Sequence, residues 1–335
     1  MKNPKSKIRR SSWLRLMIVL TVIVLSASGY LQACTWFIFK NDLGHYFFGR
    51  AMEWPGDLHA EIAIVPRNHQ IGSFTTKYGF VGMSHSDLLY SDGMNEHGLI
   101  CSSLQLDASK YMEKKEGAYH VKDLPAYLLG NTRTVDEAVA FIKSNTFYSS
   151  ADFDDLAPGI ALTQHYAISD ASGRAVVVEF IDGRAVIHEN KVGALTNDPV
   201  FEEQLKNWAK YQGKPFNEET FESFDFSSTG KFCRMAALNA TQAKVPTDFD
   251  AVNRAWSMLN TVDLPQGVLY WRWVSETPQF TSYSVVGDIS NRTYYFRTYD
   301  NYDIRKIDLK KIDFAAVKYQ SVSIFGKADY KEFKF

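Results

Sequence analysis

The stretch "SGYLQACTWFIFKND" sets Cys34 at the boundary between two kinds of sequence. A thiol attacks as its thiolate, and a free cysteine with a pKa near ~8.5 is mostly protonated at neutral pH, so a nucleophilic cysteine needs a base beside it. Upstream, "MKNPKSKIRRSSWLR" carries Lys2, Lys5, Lys7, Arg9, Arg10 and Arg15 with no acid; "LMIVLTVIVL" is apolar, and "SASGYLQA" supplies small residues up to Ala33. That order is the pattern of a cleavable secretory leader over residues 1–33. The apolar run from Leu16 to Leu25 is shorter than the ~20 residues a membrane-spanning helix needs. Cleavage after Ala33 would make Cys34 the first residue. Its own α-amine, with a pKa of about 7.7–8.0, would then lie within reach of the thiol as base.

A second reading competes at the same atoms. "LQAC" is also similar to a lipobox, in which the cysteine becomes a lipid attachment point. Lipidation consumes the thiol, so this reading gives a lipid-anchored, non-catalytic binding protein. A membrane is a partner only in that case.

Further along, "GRAMEW" carries Arg50 and Glu53. "CTWFIFKN" and "HYFFGRAMEW" read as strands joined by a hairpin turn at Asp42–Gly44. In such a hairpin the start of one strand faces the end of the other, so Cys34, Arg50 and Glu53 should converge. An arginine near a cysteine favours the thiolate, and a carboxylate can hold the α-amine or the arginine by charge-assisted hydrogen bonds. A surface ion pair is the plainer reading, but an aromatic-rich hairpin does not suit a surface.

The remaining chemistry-bearing residues are weaker candidates. Cys101 and Cys233 sit in apolar segments and read as buried free thiols; three cysteines make no disulfide framework for this length. A Cys–His hydrolase using Cys101 or Cys233 with His97 or His165 has no recognisable motif. No pattern has metal-ligand spacing, so neither a metal nor a cofactor is expected. Lys and Arg number 37 against 38 acids, which gives no basic field for nucleic acid. Without the basic leader the remainder is acidic.

The elements that must position these groups follow from periodicity. Strands are expected at "AEIAIVPRN", "YGFVGMSH" and on both sides of Asn95–Gly98. Their alternation is weak, which indicates sheets buried on both faces. Helices are expected at "KDLPAYLLGN" and at "TVDEAVAFIKSN", the latter with Thr134 as N-cap. Three strands follow from Gln164. Helices then resume at "VFEEQLKNWAKYQ", "KFCRMAALNATQAK" and "FDAVNRAWSMLNTV", and "TSYSVVGDISNRTYYFRTYDN" closes as a β meander. No repeat or linker divides the chain, so one interleaved α+β domain with two helix-covered sheets is expected.

"CTWFIFKNDLGHYFFGRAMEW", "EIAIVPRN", "YGFVGM", "DGMNEHGL" and "GALTNDPVFEEQ", in this order, resemble the choloylglycine hydrolase family, which holds conjugated bile salt hydrolases and penicillin V acylases and belongs to the N-terminal-nucleophile amidases. The resemblance implies a four-layer αββα sandwich over residues 34–335 and hydrolysis of a linear amide C–N bond without a cofactor. It implies Cys34 as nucleophile and, through its amine, base, with Arg50 beside the thiol. Glu53 stands where an aspartate is usual. Asn197 matches the asparagine whose amide helps form the oxyanion hole, where one donor contributes on the order of 3–4 kcal/mol. Gln105 falls where bile salt hydrolases tend to have asparagine and penicillin acylases tyrosine; its backbone N–H could serve the oxyanion hole whatever the side chain. In "TGKFCRMA", Lys231 stands where the family has arginine, with Arg234 one turn later as the other source of that cation or as a substrate contact. Trp54, with Trp36, Phe37 and Phe39, suits an apolar acyl group. The implied partner is a small N-acyl amide: a bile salt, a penicillin V, an acyl-homoserine lactone or, from an acid ceramidase-like branch of the class, a fatty acyl amide. The leader implies export to the periplasm or medium, and assembly into a homo-oligomer stays open.

Overall fold

The computed structural model describes residues 34–56, 58–85, 89–150, 162–241, 243–270, 276 and 278–334. The leader read at residues 1–33 lies outside the described residues.

The hairpin around the "DLG" turn organises one sheet. Strands β1 (Thr35–Lys40) and β2 (Tyr46–Pro55) pair antiparallel, with Thr35 opposite Ala51 and Lys40 opposite Tyr46. Asn41 closes the turn: its side-chain oxygen accepts from the N–H groups of Leu43 and His45 at 3.1 and 2.9 Å. Gly44 takes a φ of 81°, a conformation that costs glycine little.

A second sheet begins with β3 (Ala60–Val65), β4 (Phe80–His85), β5 (Leu89–Asn95) and β6 (Ile100–Gln105). It continues with β7 (Gln164–Ser169), β8 (Ala175–Ile181) and β9 (Arg184–Glu189). The short β10 (Ala194–Leu195) returns to pair with β1. The closing meander is β11 (Pro278–Asp288), β12 (Thr293–Thr298) and β13 (Asn301–Asp308), and β14 (Gln320–Ser323) follows. The first sheet runs β10-β1-β2-β11-β12-β13 and the second β9-β8-β7-β6-β5-β4-β3-β14. Residues 301–323, for which the sequence suggested no element, thus supply an edge strand to each sheet.

Helices α1 (Leu124–Asn131) and α2 (Val135–Ser144) belong to the second sheet's outer face, where α1 packs on β5 and β6. Thr134 caps α2, accepting from the Glu137 N–H at 3.2 Å. Helices α3 (Phe201–Ala209), α4 (Glu218–Glu222), α5 (Ser228–Ala240) and α6 (Asp248–Asn260) follow. Of these α5 packs on β1 and on α3, and α6 on β2 and β11. One apolar core fills the space between the sheets and reaches α5 and α6, and a second lies between the other sheet and α1 and α2. The result is an αββα arrangement. None of its described helices is long and apolar enough to cross a membrane.

Period-two alternation along β2 decides what each sheet face presents. Phe47 packs with Val245 and Ala251 on the helix side. Phe48 turns the other way, its ring 6.3 Å from that of Tyr294. Arg50 and Met52 follow Phe48 toward the second sheet, whereas Glu53 follows Phe47 toward α5. Gly49 leaves room for the fully buried Phe37 ring: a Cβ there would stand 2.3 Å from Phe37 Cζ. We therefore expect Gly49→Ala to destabilise the fold by about 1–3 kcal/mol through overpacking. Thermal unfolding checks this, and a melting temperature equal to the parent's would contradict the packing described.

Candidate active site

Cys34 lies one residue before β1, so the hairpin register places it opposite Met52. Its Sγ is 3.8 Å from Met52 Sδ and 4.0 Å from the Glu53 carbonyl oxygen. Burial pushes the thiol pKa up; the Arg50 charge pulls it back, Glu53 adds to the rise, and Lys231 opposes it. The expected convergence of Cys34, Arg50 and Glu53 is therefore present, but the two charges approach from opposite faces of β2.

Arg50 has no solvent exposure. Its Nη2 donates to the Ser103 carbonyl at 2.9 Å, and its guanidinium carbon lies 5.8 Å from the Tyr283 ring centre. Asp92 Oδ2 is 4.0 Å from Nε. Burial would lower the arginine's pKa, but Tyr283, Cys34 and Asp92 around it more than offset this and hold it above its usual value.

Glu53 reaches neither Arg50 nor solvent. Three residues apart on a strand, the two side chains point to opposite faces, so the carboxylate meets α5 instead. Its Oε1 accepts from Lys231 Nζ at 3.0 Å and from Thr281 Oγ1 at 3.2 Å. Burial raises the Glu53 pKa to about 7 against the pull of Lys231. Thr281 is available because β11 carries a bulge between Thr281 and Tyr283, which keeps Thr281 opposite Glu53 and Tyr283 opposite Met52.

Lys231 is fully buried in α5, which starts at Ser228 rather than at Lys231. Ser227 is the cap, accepting from the Gly230 N–H at 3.1 Å. Arg234, one turn on, does not turn toward Cys34. Its guanidinium donates to the carbonyls of Thr261 and Phe224 and lies over the Phe226 ring. Thr261 is the C-cap residue of α6, so Arg234 satisfies a helix-end carbonyl. Of the two cations expected on this helix, Lys231 is the one in the site.

Asn197 is buried and donates from Nδ2 to the Gln105 carbonyl at 2.8 Å. In an extended strand the N–H and C=O of one residue point the same way, so the Gln105 N–H also faces Asn197. Its side chain donates to Asp107 at 3.0 Å. The Asn197 loop is clamped from α3 by Gln204 Nε2, which reaches Thr196 Oγ1 and the Asp198 carbonyl, both at 3.1 Å. From β7, His165 Nε2 bonds the Thr196 carbonyl at 2.7 Å and Nδ1 bonds Glu179 at 3.2 Å. Both ring nitrogens are thus committed to structure, and His97 packs edge-on against Tyr78. Burial drives the Cys101 thiol pKa upward and that of Cys233 up to about 12. No Cys–His couple is therefore assembled among these residues.

Trp54 lies two residues beyond Met52, partly buried against the inter-sheet core and opposite Phe280. Sequence reasoning missed Met52, Asp92, Thr281 and Tyr283. Met52 was available from the hairpin register, as the residue facing Cys34; the others depend on pairings distant in sequence. Among the described residues no group of three or more His, Cys, Asp or Glu side chains could hold a metal.

The chain is similar to known proteins over most of its length. The family model described as linear amide C–N hydrolases, choloylglycine hydrolase family, matches residues 34–323. The bile salt hydrolase/transferase of Clostridium perfringens is 27% identical over 309 residues, covering 82% of this chain and 92% of that protein. The penicillin V acylase of Pectobacterium atrosepticum is 28% identical over 329 residues, covering 88% and 86%. Among solved structures, a conjugated bile acid hydrolase variant from Clostridium perfringens has a TM-score of 0.78 at 24% identity, over 90% of this chain and all of that one. The penicillin V acylase of Agrobacterium tumefaciens has a TM-score of 0.70 at 25% identity, over 87% and 91%. The fold is the αββα sandwich of the N-terminal-nucleophile hydrolases. This chain belongs to the choloylglycine hydrolase family of linear amide C–N hydrolases.

Proposed function

We propose that the chain is exported, loses residues 1–33, and then hydrolyses the amide of an N-acyl substrate with Cys34 as N-terminal nucleophile. The observation that carries this is the seat of the thiol: Sγ lies against Met52 and the Glu53 carbonyl, within the fields of Arg50 and Lys231. Such a seat favours a lipid anchor less than a nucleophile, because a lipidated sulfur must project toward a membrane.

In this reading the thiol proton passes to the α-amine, and Sγ attacks the amide carbon. The oxyanion is met by Asn197, whose NH₂ has two hydrogens of which the Gln105 carbonyl takes one, and by the Gln105 N–H. The resulting α-ammonium returns its proton to the leaving amine as the C–N bond breaks, leaving an acyl thioester. Water then releases the acid and restores the thiol. The named activities of the two curated relatives, on bile salts and penicillin V, support an apolar acyl group as the recognised part. The leaving amine is to be identified with a panel of bile salts, penicillin V, acyl-homoserine lactones and fatty acyl amides.

Replacing Cys34 by Ser should lower amide hydrolysis at least a hundredfold while the melting temperature stays within a degree or two. Mass spectrometry of the purified protein should find a free Cys34 at the N-terminus. A diacylglyceryl adduct there, or substantial turnover by the serine variant, would sink the proposal.

The two cations of α5 separate in the same assay. Lys231→Ala leaves the buried Glu53 without its cation, so the acid takes up a proton, and should cut kcat/KM at least tenfold. Lys231→Arg should stay within a fewfold of the parent. Arg234→Ala should lower the melting temperature and leave turnover nearly intact; greater damage to turnover than in Lys231→Ala would reverse the assignment.

A further inference from the structure

Arg50 is buried between the sheets, and Asp92 is the carboxylate that faces it from across the gap. Asp92 is itself fully buried on β5. Its Oδ2 accepts from Ser102 Oγ on β6, and its Oδ1 from Tyr294 OH on β12. Burial raises the Asp92 pKa, while the Arg50 guanidinium and the two hydroxyl donors pull it back toward the charged carboxylate. Arg50 Nε, 4.0 Å from Asp92 Oδ2, has no hydrogen-bond partner among the described residues. The arrangement therefore stops short of a closed ion pair. Arg50 Nη2 lies 3.7 Å from Met52 Sδ, the atom that Cys34 Sγ touches at 3.8 Å, so the same guanidinium also bears on the thiol.

We propose that Asp92 is a positioning residue that divides the Arg50 charge between itself and the Cys34 thiol, with Ser102 setting the division by occupying the carboxylate oxygen nearest Arg50. This rests on the nucleophile reading of Cys34 and adds to it a residue on the far sheet. The other groups bearing on the pair are Glu53 on β2, Lys231 on α5 and Tyr283 on β11. His85, bonded to Ser91 at 2.7 Å, stays neutral because burial and Arg50 lower its pKa to about 4. Cys101 feels Asp92 but is held protonated by burial.

Two substitutions should move the thiol in opposite directions. Asp92→Asn keeps the shape and removes the competing charge, so more of the Arg50 field falls on Cys34 and the thiolate forms at lower pH. Ser102→Ala removes the hydroxyl on Oδ2. That oxygen then draws Nε into a direct hydrogen bond, Arg50 leaves the thiol, and the thiolate forms at higher pH.

The measurement is the rate of Cys34 alkylation by iodoacetamide between pH 5 and 10, read by mass spectrometry on the Cys34 peptide of protein processed in the expressing cell. The midpoint should fall by about half a unit to one unit in Asp92→Asn and rise by a similar amount in Ser102→Ala; one unit is about 1.4 kcal/mol. A purely structural role would move stability and leave both midpoints in place, or move them together, and either result overturns the proposal. If Asp92→Asn does not fold, Ser102→Ala decides alone: a rise supports the division, and an unmoved or lowered midpoint overturns it. Because the readout is alkylation, its failure is distinct from a failure of the amidase reading, which Cys34→Ser tests on turnover.

Discussion

A guanidinium with no access to water has to be neutralised where it stands, and in this fold that requirement falls on Arg50. Desolvating such a charge costs several kcal/mol even after relaxation, so its partners cannot be incidental. They come from three places: the Ser103 carbonyl on β6, the Asp92 carboxylate on β5 and the Tyr283 ring on β11. Because Asp92 is also bonded to Tyr294 of the first sheet, and Ser91 to Tyr283 at 2.8 Å, the two sheets are joined by polar bridges across their interface. Apolar sheet packing alone tolerates small slips; a buried charge with directional partners does not. Cys34 inherits this precision through its register with β2, and Gln105 through its place two residues beyond Ser103 on the same strand edge.

A second charged pair lies on the opposite face of the same strand. Strand alternation sends Glu53 to the helix layer, where Lys231 meets it. The first sheet is therefore charged on both faces within four residues of β2, and the thiol lies where both fields reach it. Helix α5 does two tasks at once. Its second turn is tied through Arg234 to the end of α6, while its first turn holds the Asn197 loop: Thr196 Oγ1 donates to the Ser228 carbonyl at 2.9 Å. Cys34, Lys231 and Asn197 thus depend on one hairpin and one helix.

This explains which parts of the site could be read in the sequence. The hairpin is local, announced by aromatic runs around a glycine turn, so Cys34, Arg50 and Glu53 could be brought together from spacing alone. The helix was legible as a helix, but the choice between Lys231 and Arg234 was not. Both lie on one stretch three residues apart, and only the ends of α4 and α6 show that Arg234 is already occupied with carbonyls. Its start was misplaced because Gly230 reads as a break, whereas Ser227 caps a turn that includes it. Asp92 was hidden for a different reason. In "YSDGMNEHG" the strand before Asn95 was legible, but that its acid is buried and turned toward a charge on the other sheet depends on a pairing distant in sequence. Edge strands after residue 301 carry exposed, polar sequence, which has no periodic signal because little of it is buried.

The exchange of both members of the Glu53–Lys231 pair follows from reach and geometry together. The family resemblance sets an aspartate where Glu53 stands and an arginine where Lys231 stands; here the acid is a methylene longer and the cation is a compact ammonium. A fork can satisfy both oxygens of a carboxylate, whereas an ammonium acts as a point charge. The consequence is visible at Glu53: Oε1 takes both Lys231 and Thr281, while Oε2 is buried without a hydrogen-bond partner among the described residues. An unmatched carboxylate oxygen in a dry site favours the protonated acid, in line with the rise of the Glu53 pKa to about 7. The Thr281 bulge then has a physical purpose. It concentrates two donors on one oxygen and so keeps that side of the carboxylate fixed.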